Sequence, residues 1–176
     1  MSLARPQAGE FAPYAEKYIA LVPDDVLHAL EQQAKETVQL FAGLHEADGD
    51  FCYAPGKWSL KEVLGHIVDT ERIFTYRALR VARADETPLA GFEQDDYVRA
   101  GGFCARTLKS LIEEYQSVRP ASITLFRSFT ADAWARRGTA SNNPISVRAL
   151  AFMTAGHELH HLKTLHERYL PAMRRA

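Results

Sequence analysis

Three of the seven histidines in this chain lie within five consecutive positions, at His157, His160 and His161. The surrounding segment has the pattern of a long amphipathic helix, on which residues four apart stack one turn apart on the same face. His157 and His161 therefore have the spacing at which two imidazoles bind a single metal ion. A third histidine, His66, falls on the apolar stripe of a separate predicted helix. Three neutral imidazoles plus water make an open metal site, which is the arrangement found at catalytic centres.

A metal-free interpretation of these histidines has to be weighed against the metal site. A histidine on an apolar helix face is more often a hydrogen-bonded core residue than a ligand, so the three rings could instead form a polar core network. Two adjacent buried imidazoles without a metal, however, need separate partners and repel each other if both are protonated. A shared cation removes both difficulties, and bundle cores commonly assemble metal sites from inward-facing side chains. We therefore predict His66, His157 and His161 as the ligands.

Other polar residues near the predicted ligands are candidates for supporting roles. His160 lies about 60° around the helix from the first histidine of the pair, so we expect it at the rim of the site or in contact with the ligands, where it could transfer protons. Glu158 could act as an acid or base if it faces the mouth of the site. Asp69 follows His66 by three residues and is the candidate for orienting that ring through its free nitrogen. We expect Glu71 to be solvated.

Residues 157–161 also match H-E-x-x-H, the helical zinc signature of metalloproteases. In those enzymes the glutamate is the general base. A metzincin would continue with glycine and histidine at positions 164 and 167, where this chain has Thr164 and Glu167. The sequence also contains no evident strand that could bind a peptide by edge addition. A metalloprotease is therefore the least supported interpretation.

Four long helices are predicted from the spacing of apolar residues. The second has the clearest beginning, because Ser59 and Glu62 form the S-x-x-E pattern of a capping box. With mostly short polar connections and almost no strand signals, the chain is predicted to be an all-α four-helix bundle. The predicted helices span residues 24–45, 59–84, 106–129 and 147–169.

The segments outside these helices complete the predicted organisation. Residues 1–22 form an N-terminal extension packed on the bundle, and residues 23–176 form the bundle domain. A long connection without confident secondary structure, residues 85–104, joins the second and third helices. Connections of this length in a compact domain tend to cover or line binding sites, so Tyr97 could bring a hydroxyl group to the site. Pro120 falls inside the third helix and is expected to kink or split it.

Composition limits the classes of partner. The formal net charge is −1 with scattered basic residues, which argues against nucleic acid as the main partner. No apolar run approaches the length of about 18 residues that a membrane helix needs. Cys52 and Cys104 lie far apart without a C-x-x-C pattern, as in a reduced cytoplasmic protein. We expect a cytoplasmic protein that binds neither membranes nor nucleic acid.

Two segments of the chain read K-W-S-L-K-E-V-L-G-H over residues 57–66 and G-H-E-L-H-H over residues 156–161. Together they resemble the DinB-like (DinB/YfiT) superfamily of metal-binding four-helix bundles. The resemblance covers about residues 24–170. It implies His66, His157 and His161 as the ligand triad for a divalent ion such as nickel, zinc or iron.

The resemblance also implies a range of activities. Some members of this superfamily are S-transferases that use low-molecular-weight thiols such as bacillithiol or mycothiol, others resemble isomerases or hydrolases, and dimers are common. We therefore expect a metal-dependent enzyme, a thiol S-transferase or a hydrolase, that acts on a small molecule at an open coordination position. A thiol would be the cosubstrate of the transferase. The alternative is a non-catalytic, stress-related module for metal binding or dimerisation.

Overall fold

In the computed structural model, four long helices pack side by side, which confirms the predicted all-α four-helix bundle. The structure describes residues 3–175, so the outermost positions of the two predicted segments, residues 1, 2 and 176, lie outside it. The helices are α1 (Glu16–Ile19), α2 (Val26–Ala42), α3 (Leu60–Ala82), α4 (Gln94–Ala100), α5 (Leu108–Arg127), α6 (Ala131–Ala135), α7 (Val147–Thr164) and α8 (Leu170–Met173). The bundle consists of α2, α3, α5 and α7, and a π-helical segment, Leu165–Tyr169, joins α7 to α8.

Side-chain caps fix where the bundle helices begin. Ser59 accepts a hydrogen bond from the amide of Glu62, whose carboxylate accepts one from the amide of Ser59, which is the predicted capping box. Asp25, Thr107 and Ser146 cap α2, α5 and α7 in the same way, each accepting from an amide three residues later. These caps satisfy amides that otherwise have no partner in the first turn.

The last bundle helix, α7, is the centre of the fold. Every residue from 149 to 158 is buried, and the helix contacts both α3 and α2. Two apolar clusters form the core, one around Leu30, Phe126 and Leu150, the other around Leu64 and Leu111. Because α7 is surrounded, its polar residues in this stretch must find partners inside the protein.

The structure adds elements that the sequence did not predict. The connection 85–104 contains α4 and a 3₁₀ turn, Phe103–Ala105, rather than irregular chain alone. Residues 137–146 lie between the third and fourth predicted helices, where no strand was predicted, and they form an antiparallel hairpin of β1 (Arg137–Ala140) and β2 (Asn143–Ser146). Its two turn residues have the positive φ values of a type I′ turn, +51° at Ser141 and +61° at Asn142.

The helix α5 continues through Pro120, so of the two expected effects, a kink or a split, the split does not occur. Proline has no N–H group, so the carbonyl of Gln116, four residues before Pro120, lacks its helical hydrogen bond. Both residues are exposed. That carbonyl can therefore bond to water, which removes much of the cost of the missing hydrogen bond.

The N-terminal extension packs on the central helix. The segment α1 contacts α7. Before it in the chain, Glu10 is 1% exposed, accepts a hydrogen bond of 2.8 Å from the hydroxyl of Ser146 and forms a salt bridge with Arg148. A Cβ atom on Gly156 would lie 2.1 Å from the carbonyl oxygen of Tyr18, so only glycine permits this approach. Within the described residues, no helix has the length and apolar character needed to cross a membrane.

We predict that Gly156→Ala lowers the free energy of unfolding by about 1–3 kcal/mol, because the added methyl group forces α1 away from α7. Urea denaturation measures the change. Gly43→Ala is the matched control, since Gly43 is exposed with a helical φ of −80°, and we expect it to change the free energy by less than about 0.5 kcal/mol. Equal stability of the two variants would contradict the close packing of α1 on α7.

Candidate metal centre

Three histidine rings converge between two bundle helices. His66 comes from the second turn of α3, and His157 and His161 come from successive turns of α7. The Nε2 atom of His157 lies 3.0 Å from Nε2 of His66 and 3.1 Å from Nε2 of His161. One ligating atom from each ring lies within 4.8 Å of the others. The structure thus brings together the three side chains that the sequence singled out.

The two separations from Nε2 of His157 fit a single ion. With metal–nitrogen bonds of about 2.0–2.1 Å, two nitrogens on one ion are about 3.4 Å apart at a tetrahedral angle and about 2.9 Å apart at a right angle. The observed separations of 3.0 and 3.1 Å lie between these values. The donor set is three imidazoles without a thiolate or carboxylate, which suits zinc, nickel and iron.

Hydrogen bonding among the rings does not account for the cluster on its own. Nε2 of His157 faces both of the other Nε2 atoms, yet a neutral ring nitrogen carries either one hydrogen or one in-plane lone pair. It can therefore form one good hydrogen bond, and the second contact stays poorly satisfied. A cation among the three lone pairs would satisfy all of them.

Burial keeps the three rings neutral. Desolvation lowers the pKa of His66 to about 4. Desolvation and, to a smaller extent, the charges of His66, His160 and Lys17 lower the pKa of His161 to about 3. Desolvation also lowers the pKa of His157 well below its ordinary value, with the charges of the other two rings adding to the effect. At neutral pH all three present the unprotonated form that binds metals.

The ring of His66 is oriented by Thr70 and Trp58 rather than by Asp69. The Thr70 hydroxyl lies 3.5 Å from Nδ1 of His66, and the Trp58 ring packs with its centroid 4.7 Å away. Asp69, predicted as the orienting carboxylate, is partly exposed, and its Oδ1 lies 3.7 Å from Nη1 of Arg72. Thr70, four residues after His66, lies one turn further along the same face of the helix, whereas Asp69, three residues after it, is rotated to the side. Thr70 is therefore the residue beside Nδ1 of His66.

Glu158 does not face the mouth of the site, which was the condition for its predicted role in proton transfer. It is 1% exposed and points into the bundle, away from the cavities beside the histidines. Its Oε1 accepts hydrogen bonds from Thr37, at 2.5 Å, and from Tyr115, at 2.7 Å, and its Oε2 pairs with Arg119. With these oxygens engaged, the position of Glu158 supports a structural role.

Glu71 belongs to the same buried network, which corrects the expectation that it is solvated. Its side chain is 2% exposed, and its Oε1 accepts a hydrogen bond of 2.9 Å from Nε of Arg119. Arg119 also donates from Nη1 to the side-chain oxygen of Gln33, at 3.2 Å. The sequence offered no signal for this network, because its members come from four separate helices.

His160 lies at the rim of the site, as expected. It is partly buried, and it lines with His161 and Trp58 an open cavity of about 330 Å³. The ring of Tyr18 packs edge-on against it, 5.3 Å between centroids. Partial burial and the charges of Lys17 and Lys163 lower the pKa of His160, so its ring is an unprotonated base at neutral pH.

A second cavity opens on the other side of the triad, and the long connection borders both. It has a volume of about 250 Å³ and is lined by His66, His157 and, from the connection, Phe92. Asp95, also on the connection, borders the first cavity. Tyr97 lines neither of these and faces a neighbouring cavity. The connection therefore lines the cavities beside the histidine site without bringing Tyr97 to them.

Comparison with known proteins gives the family. Residues 29–165 match the model of the DinB superfamily. The chain belongs to the DinB superfamily. No protein with a curated description matches it in sequence.

Solved structures show the same fold at low sequence identity. YfiT from Bacillus subtilis, described as a probable metal-dependent hydrolase with an unusual four-helix bundle topology, is similar with a TM-score of 0.70 and 17% identity, over 98% of this chain and 93% of its own. A mycothiol-dependent maleylpyruvate isomerase is similar with a TM-score of 0.67 and 11% identity, over 82% of this chain and 61% of the isomerase. The chain therefore has the YfiT-like bundle and a three-histidine cluster, and it corresponds to less than two thirds of the isomerase.

The buried network makes Glu158→Ala a test of its structural role. We expect this variant to lose about 3–5 kcal/mol of unfolding free energy, because Arg119 keeps only one carboxylate and two hydroxyl groups lose their acceptor. Metal content per folded chain is expected to stay unchanged. Glu167→Ala, at an exposed position of the same helical stretch, is the control. A stable Glu158→Ala variant that has lost its metal would contradict the structural role.

Depressed histidine pKa values predict how the metal-free protein responds to acid. Below the ordinary pKa of 6.5 the unfolded chain takes up protons at these positions, whereas folded His66 does so only near pH 4. Stability is therefore expected to fall as the pH falls from about 6.5 to about 4, by up to about 1.4 kcal/mol per pH unit for each histidine.

Chemical denaturation at a series of pH values measures this slope. We expect His66→Gln to reduce it and His28→Gln, at an exposed position, to leave it unchanged. An unchanged slope in the first variant would contradict the burial of a neutral ring at His66.

Proposed function

We propose that this chain is a metal-dependent enzyme that acts on a small molecule at the three-histidine site, with a hydrolase as the leading reaction type. The observation that carries the proposal is the convergence of the Nε2 atoms of His66, His157 and His161 beside open cavities. Three protein ligands and access for a further ligand are the arrangement of catalytic rather than structural sites. Zinc, nickel and iron are all compatible with these ligands.

The ion's contribution is Lewis acidity, which makes water or a thiol a better nucleophile near neutral pH and polarises a carbonyl group. The chain's own residues supply the rest. Trp58 and Tyr18 pack around the histidines and limit the access of bulk water. His160, unprotonated at the cavity rim, is the group that can accept a proton from the nucleophile and return it to the leaving group.

Hydrolysis is preferred over thiol transfer because the likeness to the probable hydrolase YfiT spans nearly the full length of both chains. Thiol transfer is the second candidate, on the likeness of 82% of the chain to a mycothiol-dependent isomerase. Within the described residues neither cysteine lines the cavities beside the histidines, so in that case the thiol would come from a low-molecular-weight cosubstrate.

The proposal includes a cytoplasmic homodimer that binds neither nucleic acid nor membranes. Cys52 and Cys104 are both unpaired and exposed, as in a reducing compartment. The net charge of −1 gives no electrostatic attraction to nucleic acid. Sedimentation measures the oligomeric state.

Metal content tests the site directly. We expect about one divalent ion per chain in the purified, untagged protein, and loss of that ion in His66→Ala and His157→Ala. His166→Ala, at an exposed position beyond α7, is expected to keep the ion. Elemental analysis with circular dichroism as a fold check makes the measurement. Equal metal content in all four proteins, or none in the wild type, would contradict the proposal.

Turnover separates an enzyme from a non-catalytic metal-binding module. The metal-loaded protein is screened against activated esters and amides, with and without a low-molecular-weight thiol. Once a substrate is found, we expect His160→Gln to lower kcat by about 100-fold or more while the metal is retained. Full metal occupancy without turnover would contradict the enzymatic proposal. An unchanged kcat in His160→Gln would contradict the role of His160.

A further inference from the structure

The helix that supplies His66 also supplies an arginine whose charge has no counter-ion among the residues that the structure describes. Arg77 lies eleven residues after His66 on α3, which places it three turns further along the same face. The residue is buried, with 5% of its surface exposed. Among residues 3–175, no carboxylate oxygen lies within 4.0 Å of its guanidinium nitrogens. The other deeply buried arginine, Arg119, pairs with two carboxylates. Buried charges are ordinarily paired, so the charge of Arg77 needs an explanation.

Within residues 3–175, one nitrogen of Arg77 forms hydrogen bonds. Nη2 donates to the carbonyl oxygen of Ala90, at 2.7 Å, and to the hydroxyl of Ser141, at 3.2 Å. These two contacts come from the long connection and from the hairpin turn, and they fix the plane of the guanidinium. In the described part of the chain every fully buried side-chain nitrogen or oxygen has a hydrogen-bond partner. Nε and Nη1 of Arg77, which have none, must therefore be accessible from a cavity.

Arg77 lines two cavities, and one of them connects it to the histidines. Arg77 lines the cavity of about 250 Å³ whose wall also contains His66 and His157. The rings of Tyr18 and Phe74 form part of the same wall, and that of Phe92 lies 5.9 Å from the guanidinium carbon. Glu93, the acidic residue at this cavity, is exposed and lies beyond salt-bridge distance from Arg77. The cavity thus presents a positive charge, apolar walls and, along the helix, the imidazole cluster.

We propose that Arg77 is a substrate-binding residue that recognises the carboxylate of a small organic acid, with the apolar body of the ligand against the aromatic wall and its reactive end towards the histidines. A guanidinium with two free N–H groups matches a carboxylate in a two-point contact, and it holds the charge that the protein leaves uncompensated. Desolvation lowers the pKa of Arg77, in keeping with the absence of a carboxylate within 4.0 Å among the described residues. The substrate role rests on the proposed function, whereas carboxylate binding itself does not require a metal.

Benzoate and benzamide are the probes, because they have the same shape and differ in charge. We expect metal-free protein to bind benzoate saturably and to bind benzamide at least about tenfold more weakly. In Arg77→Gln the affinity for benzoate is expected to fall by at least about tenfold. Arg72→Gln, which removes a partly exposed arginine of the same helix already paired with Glu114, is expected to change nothing. Isothermal titration of each protein makes the comparison.

A second measurement keeps the test independent of the variants' folding. In wild-type protein the side-chain Nε–H resonance of Arg77 is expected to shift on addition of benzoate and to stay in place with benzamide. Three results would overturn the proposal: no saturable binding of benzoate, equal affinity for benzoate and benzamide, or unchanged affinity for benzoate in a folded Arg77→Gln variant.

Metal-free protein separates this proposal from the metal site. Benzoate binding that depends on Arg77 but not on His66, measured with His66→Ala, supports the subsite even if the protein holds no ion. Benzoate binding seen only in metal-loaded protein and lost in His66→Ala would place the carboxylate on the ion and overturn the role of Arg77.

Discussion

The guanidinium of Arg119 links all four helices of the bundle. Arg119 itself lies on α5, and it pairs with Glu71 of α3, with Glu158 of α7 and with the backbone and side-chain oxygens of Leu30 and Gln33 in α2. Charges this deeply buried are stable only when fully paired, so a rotation of α7 about its axis would leave one of them unpaired. Consecutive residues of an α-helix are rotated by about 100° around its axis. When Glu158 points at Arg119, the preceding residue, His157, therefore points towards α3. The buried ion network and the histidine pair therefore lie on different sides of α7.

This arrangement gives the two sides of α7 different properties. On the Glu158 side, two carboxylates share one guanidinium, both oxygens of Glu158 have hydrogen-bond partners, and the charged groups are almost fully buried. On the side of His157 and His161, the rings are neutral, incompletely hydrogen-bonded to one another and adjacent to open cavities. A cation and a ligand both find unsatisfied groups there. The candidate metal site therefore forms on the side of α7 that carries His157 and His161, whereas Glu158 lies on the other side.

The sequence predicted those parts of this arrangement that depend on local spacing. The i, i+4 histidines, the capping box at Ser59 and the four apolar stripes each lie within one helix, and the structure agrees with them. Features that depend on pairing distant segments were not predictable. Glu71 reads as a solvated residue because its partner lies 48 positions away, and Glu158 reads as part of H-E-x-x-H although it faces the other way. The hairpin was missed because its strands have four residues each and one contains a proline.

The central claim is that three imidazoles hold one ion and leave it open to ligands. X-ray absorption at the metal edge of the loaded protein tests this most directly, because it counts imidazole scattering and distinguishes sulfur from nitrogen and oxygen. We predict three imidazole nitrogens at about 2.0–2.1 Å with the remaining positions occupied by exchangeable oxygen ligands. A fourth protein ligand closing the site, sulfur in the coordination sphere, or fewer than three imidazoles would contradict the account.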